Sequence, residues 1–235
     1  MLKVDYIYHS GFCIESERKV LIFDWYKGKL PAFSPEKKIY VFVSHFHEDH
    51  YGSCIWNLLY EKTVYIMDRK VKPGLQQKKL IEEGKITYYP VYANKHYEID
   101  DMEIDTLFST DEGVAFSIKT EGHRFYHAGD LNIWYWDDEP EEDNKWQQGM
   151  YQKQMAELKK IVGEEKIDLA FLPLDPRLEK HAADGVLSFL KEIPCKALFP
   201  MHYWERKEEC MAYVSQSEFE SYWNKIHFEE ESYFE

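Results

Sequence analysis

Ile39-Tyr40-Val41-Phe42-Val43-Ser44 runs directly into His45-Phe46-His47-Glu48-Asp49-His50. The first five residues are continuously apolar, which reads as a strand buried on both faces. Behind it, three imidazoles and two carboxylates fall within six residues. Of the ten histidines in the chain, three stand in this one loop, so an ordinary polar surface loop explains it poorly. In an extended loop His45 and His47 converge, and Asp49 and His50 then turn toward a neighbouring position. Imidazole and carboxylate donors together suit a divalent cation, Zn²⁺ first and Mn²⁺ or Fe²⁺ after it.

Outward from this loop the chain alternates in a recognisable order. Upstream, residues 4–8, 12–15 and 20–24 are short β-rich runs broken by Ser10-Gly11. Downstream, the pattern predicts a helix at 53–60, a strand at 63–67, a helix at 75–83 and a strand at 86–91. Strands at 102–108, 114–120 and 124–127 follow, with turns at 110–113 and 121–123. A long helix at 146–162 leads into a strand at 167–174, a helix at 183–193, a strand at 196–201 and a helix at 216–227. Ser215 and Glu218 have capping-box spacing before that last helix. Strands, then strand–helix units, then the same order again predict an α/β fold. Its expected form is a four-layer αββα sandwich of two mixed β-sheets flanked by helices. With no low-complexity linker in view, residues 1–235 read as one domain.

His-x-His-x-Asp-His after a strand resembles the main signature of the metallo-β-lactamase superfamily of metal-dependent hydrolases. Ser10-Gly11-Phe12 and Ile22-Phe23-Asp24 resemble its opening strands. His127-Ala128-Gly129-Asp130 resembles the segment that supplies its bridging aspartate, and Phe199-Pro200-Met201-His202-Tyr203 the segment of its last histidine. The branch it resembles most includes ascorbate-phosphate lactonase-like enzymes. The resemblance implies that His45 and His47 bind a first metal, that Asp49, His50 and His202 bind a second, and that Asp130 bridges them. It also implies that Asp24 orients the His loop from behind; a turn aspartate satisfied by its own backbone is the competing reading. One departure stands out. The family places a further histidine for the first metal ahead of a glycine and an apolar strand; here that stretch is Ser109-Thr110-Asp111-Glu112-Gly113. Asp111 or Glu112 is an alternative oxygen donor, or the first site is weak or empty; His96 is the nearest earlier histidine, but the strand expected at 102–108 intervenes and speaks against it. His9 and His127 read first as packed, hydrogen-bonded residues, with a role at the site as the second reading.

The rest of the composition narrows the partners. A formal net charge of −14 repels phosphate backbones and anionic lipid, so nucleic acid is a poor partner. The acidic runs 137–143 and 229–235 read as a solvated loop and a frayed terminus. Cysteines at 13, 54, 195 and 210 form no CxxC pair, which speaks against a zinc knuckle. No apolar run approaches the roughly 20 residues that span a bilayer, and the first residues lack a signal-peptide pattern. The expectation is a cytoplasmic protein acting on a small molecule.

These readings predict a hydrolase in which a metal-bound hydroxide attacks a small anionic ester, lactone or amide, with Asp49 orienting the nucleophile. A phosphodiesterase or nuclease of the same fold and a non-catalytic metal-binding protein are the alternatives. Pro173-Leu174-Asp175-Pro176-Arg177 is a stiff turn after a strand, and Asp175 and Arg177 are expected to select the substrate there. Pairing of the two with each other, to brace the turn, is the competing reading.

Overall fold

The fold is that of a computed structural model, which describes residues 1–234. Leu2–Tyr8 (β1), Gly11–Glu15 (β2) and Lys19–Phe23 (β3) form an antiparallel meander. Lys38–Val43 (β4), Thr63–Asp68 (β5) and Thr87–Val91 (β6) then add in parallel. The strand Glu231–Phe234 closes the other edge, antiparallel to β1. β3 and β5 are buried at every residue, and β4 at all but its first. That is why these segments read as unbroken apolar runs rather than alternating ones. This seven-stranded mixed sheet, with the helix Leu75–Glu82 (α1), makes up the first of two compact units, residues 1–92 and the chain end from Glu229.

The second unit, residues 93–228, repeats the order. His96–Ile99 (β7), Met102–Phe108 (β8), Val114–Thr120 (β9) and His123–His127 (β10) are antiparallel. Ile167–Pro173 (β11) and Cys195–Met201 (β12) add in parallel, which requires crossovers. Glu141–Val162 (α2) and Asp184–Glu192 (α3) supply them. Lys207–Val214 (α4) follows the sheet. The whole is α/β, with two mixed sheets flanked by helices.

Several local expectations are corrected. The helix expected at 53–60 is two 3₁₀ turns, Ser53–Asn57 and Tyr60–Lys62, because Leu58 and Leu59 are extended. Trp56 is held there by the Tyr65 ring at 4.4 Å and by a hydrogen bond to Tyr51, so packing overrides helix propensity. α2 begins at Glu141 rather than 146; Glu141, Glu142 and Asp143 occupy its first turn, where carboxylates complement the helix dipole. The Ser215 hydroxyl donates to Ala212 at the end of α4 instead of capping a new helix, and the segment beyond is 3₁₀, Ser217–Lys225. The tail is not frayed where it pairs with β1. Among the described residues no helix is long and apolar enough to cross a membrane.

Parallel neighbours end on the same edge of a sheet. In the first unit this brings Asp24, after β3, beside the His loop after β4. In the second it brings together the segments after β10, β11 and β12, where Pro173 pairs with Met201. Ligands of α/β sheets gather at such carboxyl ends.

Candidate metal centre

In the first unit the chain leaves β4 through Ser44 and His45, both fully buried. The loop turns back on itself, with His50 N and Tyr51 N donating to His47 O at 3.0 and 2.9 Å. Asp24 organises it from behind. Its Oδ1 accepts from Ser44 N at 2.7 Å, and its Oδ2 accepts from Ser44 Oγ at 2.6 Å and from His50 Nδ1 at 2.8 Å. Because the Ser44 hydroxyl proton goes to Asp24, Ser44 Oγ accepts from His45 Nδ1, 2.9 Å away. Both imidazoles are thereby set with hydrogen on Nδ1 and a lone pair on Nε2, the form that binds a metal. Just past the loop, a Cβ on Gly52 would lie 2.5 Å from Tyr26 O, so only glycine lets the loop lie this close. The ligand atoms of His9, Asp49 and His50 lie within 4.8 Å of one another, as do those of His45 and His47.

In the second unit, Gly129 takes a φ of 52° directly after β10 and turns Asp130 out of the strand. His127 Nδ1 accepts from Gly129 N at 3.2 Å, which ties that imidazole to the turn. Asp130 O accepts from Trp134 Nε1 at 2.8 Å. His202 follows β12 with φ 64°, its ring between Trp134 at 5.5 Å and Trp204 at 5.4 Å. Its Nδ1 donates to Asp175 Oδ2 at 2.9 Å, and its Nε2 lies 3.6 Å from Asp130 Oδ1. Two ligands on zinc, each at 2.0–2.1 Å, stand roughly 3.3–3.4 Å apart at a tetrahedral angle. This imidazole–carboxylate pair therefore fits a shared cation.

Asp175 is wholly buried, so it stands inside the turn rather than on its surface. It accepts from Arg177 N and Nε at 2.9 Å, from Arg177 Nη2, and from Trp204 Nε1 at 3.2 Å. Burial works to raise its carboxyl, but the bonds from His202 and Arg177 outweigh that and hold it below the ordinary carboxylate range. The Arg177 side chain is 45% exposed, stacks over Trp204 at 4.7 Å, and lines a cavity of about 320 Å³ with Tyr135, Trp136, Asp137 and Asp138. Arg177 therefore both braces the turn and presents a cation to a cavity.

At the departure from the family pattern, Asp111 is exposed, and Glu112 Oε1 accepts from the neighbouring Gly113 N at 3.0 Å. Thr110 is the buried residue that matters there. Its hydroxyl donates to Asn132 O at 2.6 Å and accepts from Asn132 N at 3.0 Å, fixing the loop that carries Asp130. His96 is paired with Asp105 at 2.8 Å on the edge strand β7. His123, His181 and His227 are likewise occupied, by Asp168, by Asp184 and by the Phe199 ring. Sequence reasoning missed Ser44, Thr110, Trp134 and Trp204; of these, only Ser44 carried a signal, as the one polar residue closing an apolar strand.

No family model matches the chain. A UPF0173 metal-dependent hydrolase of Alkaliphilus metalliredigens is 24% identical over 217 residues, 86% of this chain and 85% of that one. Among solved structures, Igni18, a metallo hydrolase from Ignicoccus hospitalis, superposes with a TM-score of 0.62 at 16% identity, over 100% of this chain and 99% of that one. The metallo-β-lactamase fold protein YhfI from Bacillus subtilis gives 0.59 at 15% identity, over 96% and 95%. The chain thus has homologues named metal-dependent hydrolases, and its fold is the metallo-β-lactamase fold.

Proposed function

We propose that this chain is a metal-dependent hydrolase that holds one or two divalent cations, zinc foremost, and cleaves a small anionic ester, lactone or amide. The observation that carries the reading is the pair of carboxylate–imidazole bonds, Asp24 to His50 and Asp175 to His202. Each fixes a histidine in its metal-binding tautomer, an arrangement typical of metal sites. The resemblance implies that His45 and His47 would hold one cation, Asp49, His50 and His202 the other, and that Asp130 would contribute to both. A bound divalent cation lowers the pKa of water from 15.7 to about 7 and polarises a carbonyl or phosphoryl oxygen.

The chain's own residues do the rest. Asp49, with a quarter of its side chain exposed, orients the attacking water and takes its proton on a carboxylate oxygen. Arg177 meets an anionic group of the substrate, and Asp175 contributes indirectly by fixing both Arg177 and His202. An ascorbate-phosphate lactonase-like substrate has the matching charge. A phosphodiesterase or nuclease is less favoured, because a net charge of −14 repels polyanions. Its four cysteines are all free thiols, which accords with a cytoplasmic address.

Elemental analysis of purified protein tests the metal, and turnover of generic ester, lactone and bis-aryl phosphate substrates tests the chemistry. The expected result is at least one equivalent of divalent metal, lost in His50→Ala combined with His202→Ala. Equal metal in parent and double variant would refute the assignment. Bound metal without turnover of any of the three substrate types would instead favour a binding protein.

A further inference from the structure

We propose that His9 is an additional ligand of the cation served by Asp49 and His50. The inference rests on the metal dependence proposed above and concerns a residue that the family signature does not include.

His9 lies in the turn between β1 and β2, 2% exposed. Its φ of 56° is in the left-handed region, which histidine adopts more readily than most residues with a Cβ. The turn is held firmly: His9 N donates to Tyr6 Oη at 2.7 Å, and the Tyr6 ring packs edge-on against Phe12 at 5.3 Å. The imidazole stands edge-on to His50, with ring centroids 5.7 Å apart. Its Nε2 is 3.4 Å from Asp49 Oδ2.

That distance distinguishes two roles. A charge-assisted hydrogen bond from an imidazolium to a carboxylate is shorter, about 2.7–2.9 Å. Two ligands on one zinc, each at 2.0–2.1 Å, stand roughly 3.3–3.4 Å apart at a tetrahedral angle. His9 and Asp49 have the spacing of co-ligands, and the ligand atoms of His9, Asp49 and His50 all fall within 4.8 Å of one another. The first unit then divides its donors unevenly: His45 and His47 for one cation, His9, Asp49 and His50 for the other. The stretch Ser109-Thr110-Asp111-Glu112-Gly113 supplies no imidazole to redress this. Relative to the family pattern, an imidazole is missing from the first cation and gained by the second, which becomes the tighter of the two.

The test is titration of chelator-treated whole protein with Co²⁺, read by its visible absorption, and with Zn²⁺ in competition with a chromophoric chelator. His9→Gln keeps a hydrogen-bond donor of similar reach, and His9→Asn suits the left-handed backbone. Melting of the metal-free proteins checks that each variant folds. Ligation predicts that both variants weaken the tighter equivalent at least about 10-fold and alter its Co²⁺ spectrum, with the weaker equivalent unchanged. Parental affinity and spectrum in His9→Gln would overturn the proposal and leave His9 as a hydrogen-bonding neighbour of Asp49. A parent that takes up neither Co²⁺ nor Zn²⁺ would overturn the metal-dependent reading itself, a different failure from a parent that binds and a variant that binds equally well.

Discussion

Asp175 Oδ2 stands 2.9 Å from His202 Nδ1, and the carboxylate that makes this bond has no exposed surface. The same group takes hydrogen bonds from Arg177 and Trp204. The orientation of His202 is therefore set by a buried network rather than by a lone contact, and several side chains must move before the ring can.

Replacing Asp175 by Asn should lower metal affinity by about 10–100-fold, the usual effect of losing a partner behind a metal-binding histidine. Asparagine retains one acceptor but loses the charge that Arg177 and His202 share, so stability should also fall, by about 1–3 kcal/mol. Zinc competition and a thermal melt of metal-free protein measure the two effects separately. Unchanged zinc affinity would show that His202 does not depend on this carboxylate.

Asp24 presents the same logic in the first unit, with more at stake in folding. Asp24→Ala leaves Ser44 N, Ser44 Oγ and His50 Nδ1 without the acceptor they now use. Each deprived buried donor costs about 1–3 kcal/mol, so this variant should fail to accumulate as folded protein. Asp24→Asn should fold, because asparagine tolerates the φ of 41° found there, and should bind metal more weakly than the parent. Soluble yield and metal content per mole are the measurements. A well-folded Asp24→Ala with full metal would remove Asp24 from this role.

The sequence exposed the parts of the fold that repeat a simple period. β8 and β9 fall at their expected bounds, because apolar and polar residues alternate along them between clear turn residues. The His loop was legible because histidine is rare and the strand before it is so apolar. What escaped depended on partners distant in sequence. β7 carries His96, Glu98 and a tyrosine at an exposed edge, where no burial pattern marks it. That Asp24 orients the His loop was legible from the resemblance; its partners there, Ser44 and His50, were not. Trp204 could not be tied to Asp175 from sequence, since their adjacency arises from the pairing of β11 with β12.

Asp49→Asn should keep the fold and lose hydrolysis. The amide preserves shape, and a partly exposed side chain contributes little to the core, so the melting temperature of metal-free protein should stay close to the parent. Proton transfer by a positioned carboxylate contributes about 10²–10⁴-fold, and kcat on an established substrate should fall by that order. A parental kcat would show that Asp49 neither orients water nor takes its proton.

Gly52→Ala should disturb the centre without touching a ligand. The added Cβ would stand 2.5 Å from Tyr26 O and 2.7 Å from Tyr26 Cα. Both are backbone atoms, so relief requires the His loop or the segment after Asp24 to shift. Overpacking of this kind costs about 1–3 kcal/mol. Lower melting together with weaker metal retention is the expected outcome; a loss of stability with metal affinity intact would mean that the loop relaxes elsewhere.

Arg177→Met separates the two roles of that residue. Nε and Nη2 of the guanidinium hold Asp175, and its face lies over Trp204 at 4.7 Å and Trp136 at 5.8 Å. Methionine retains apolar contact with both rings and removes the charge. Because the side chain is 45% exposed, water can still reach the vacated side of Asp175, and the cost in stability should be modest, about 1 kcal/mol. The kinetic effect should be larger. A charge-assisted contact to an anionic group is worth about 1.5–3 kcal/mol, so kcat/KM on an anionic substrate should fall roughly 10–150-fold, chiefly through KM. A neutral analogue of the same scissile bond should be hydrolysed nearly as well by the variant as by the parent. If both substrates lose equally, Arg177 acts through Asp175 and His202 rather than on the substrate. If neither changes while the melting temperature drops, it serves the turn alone.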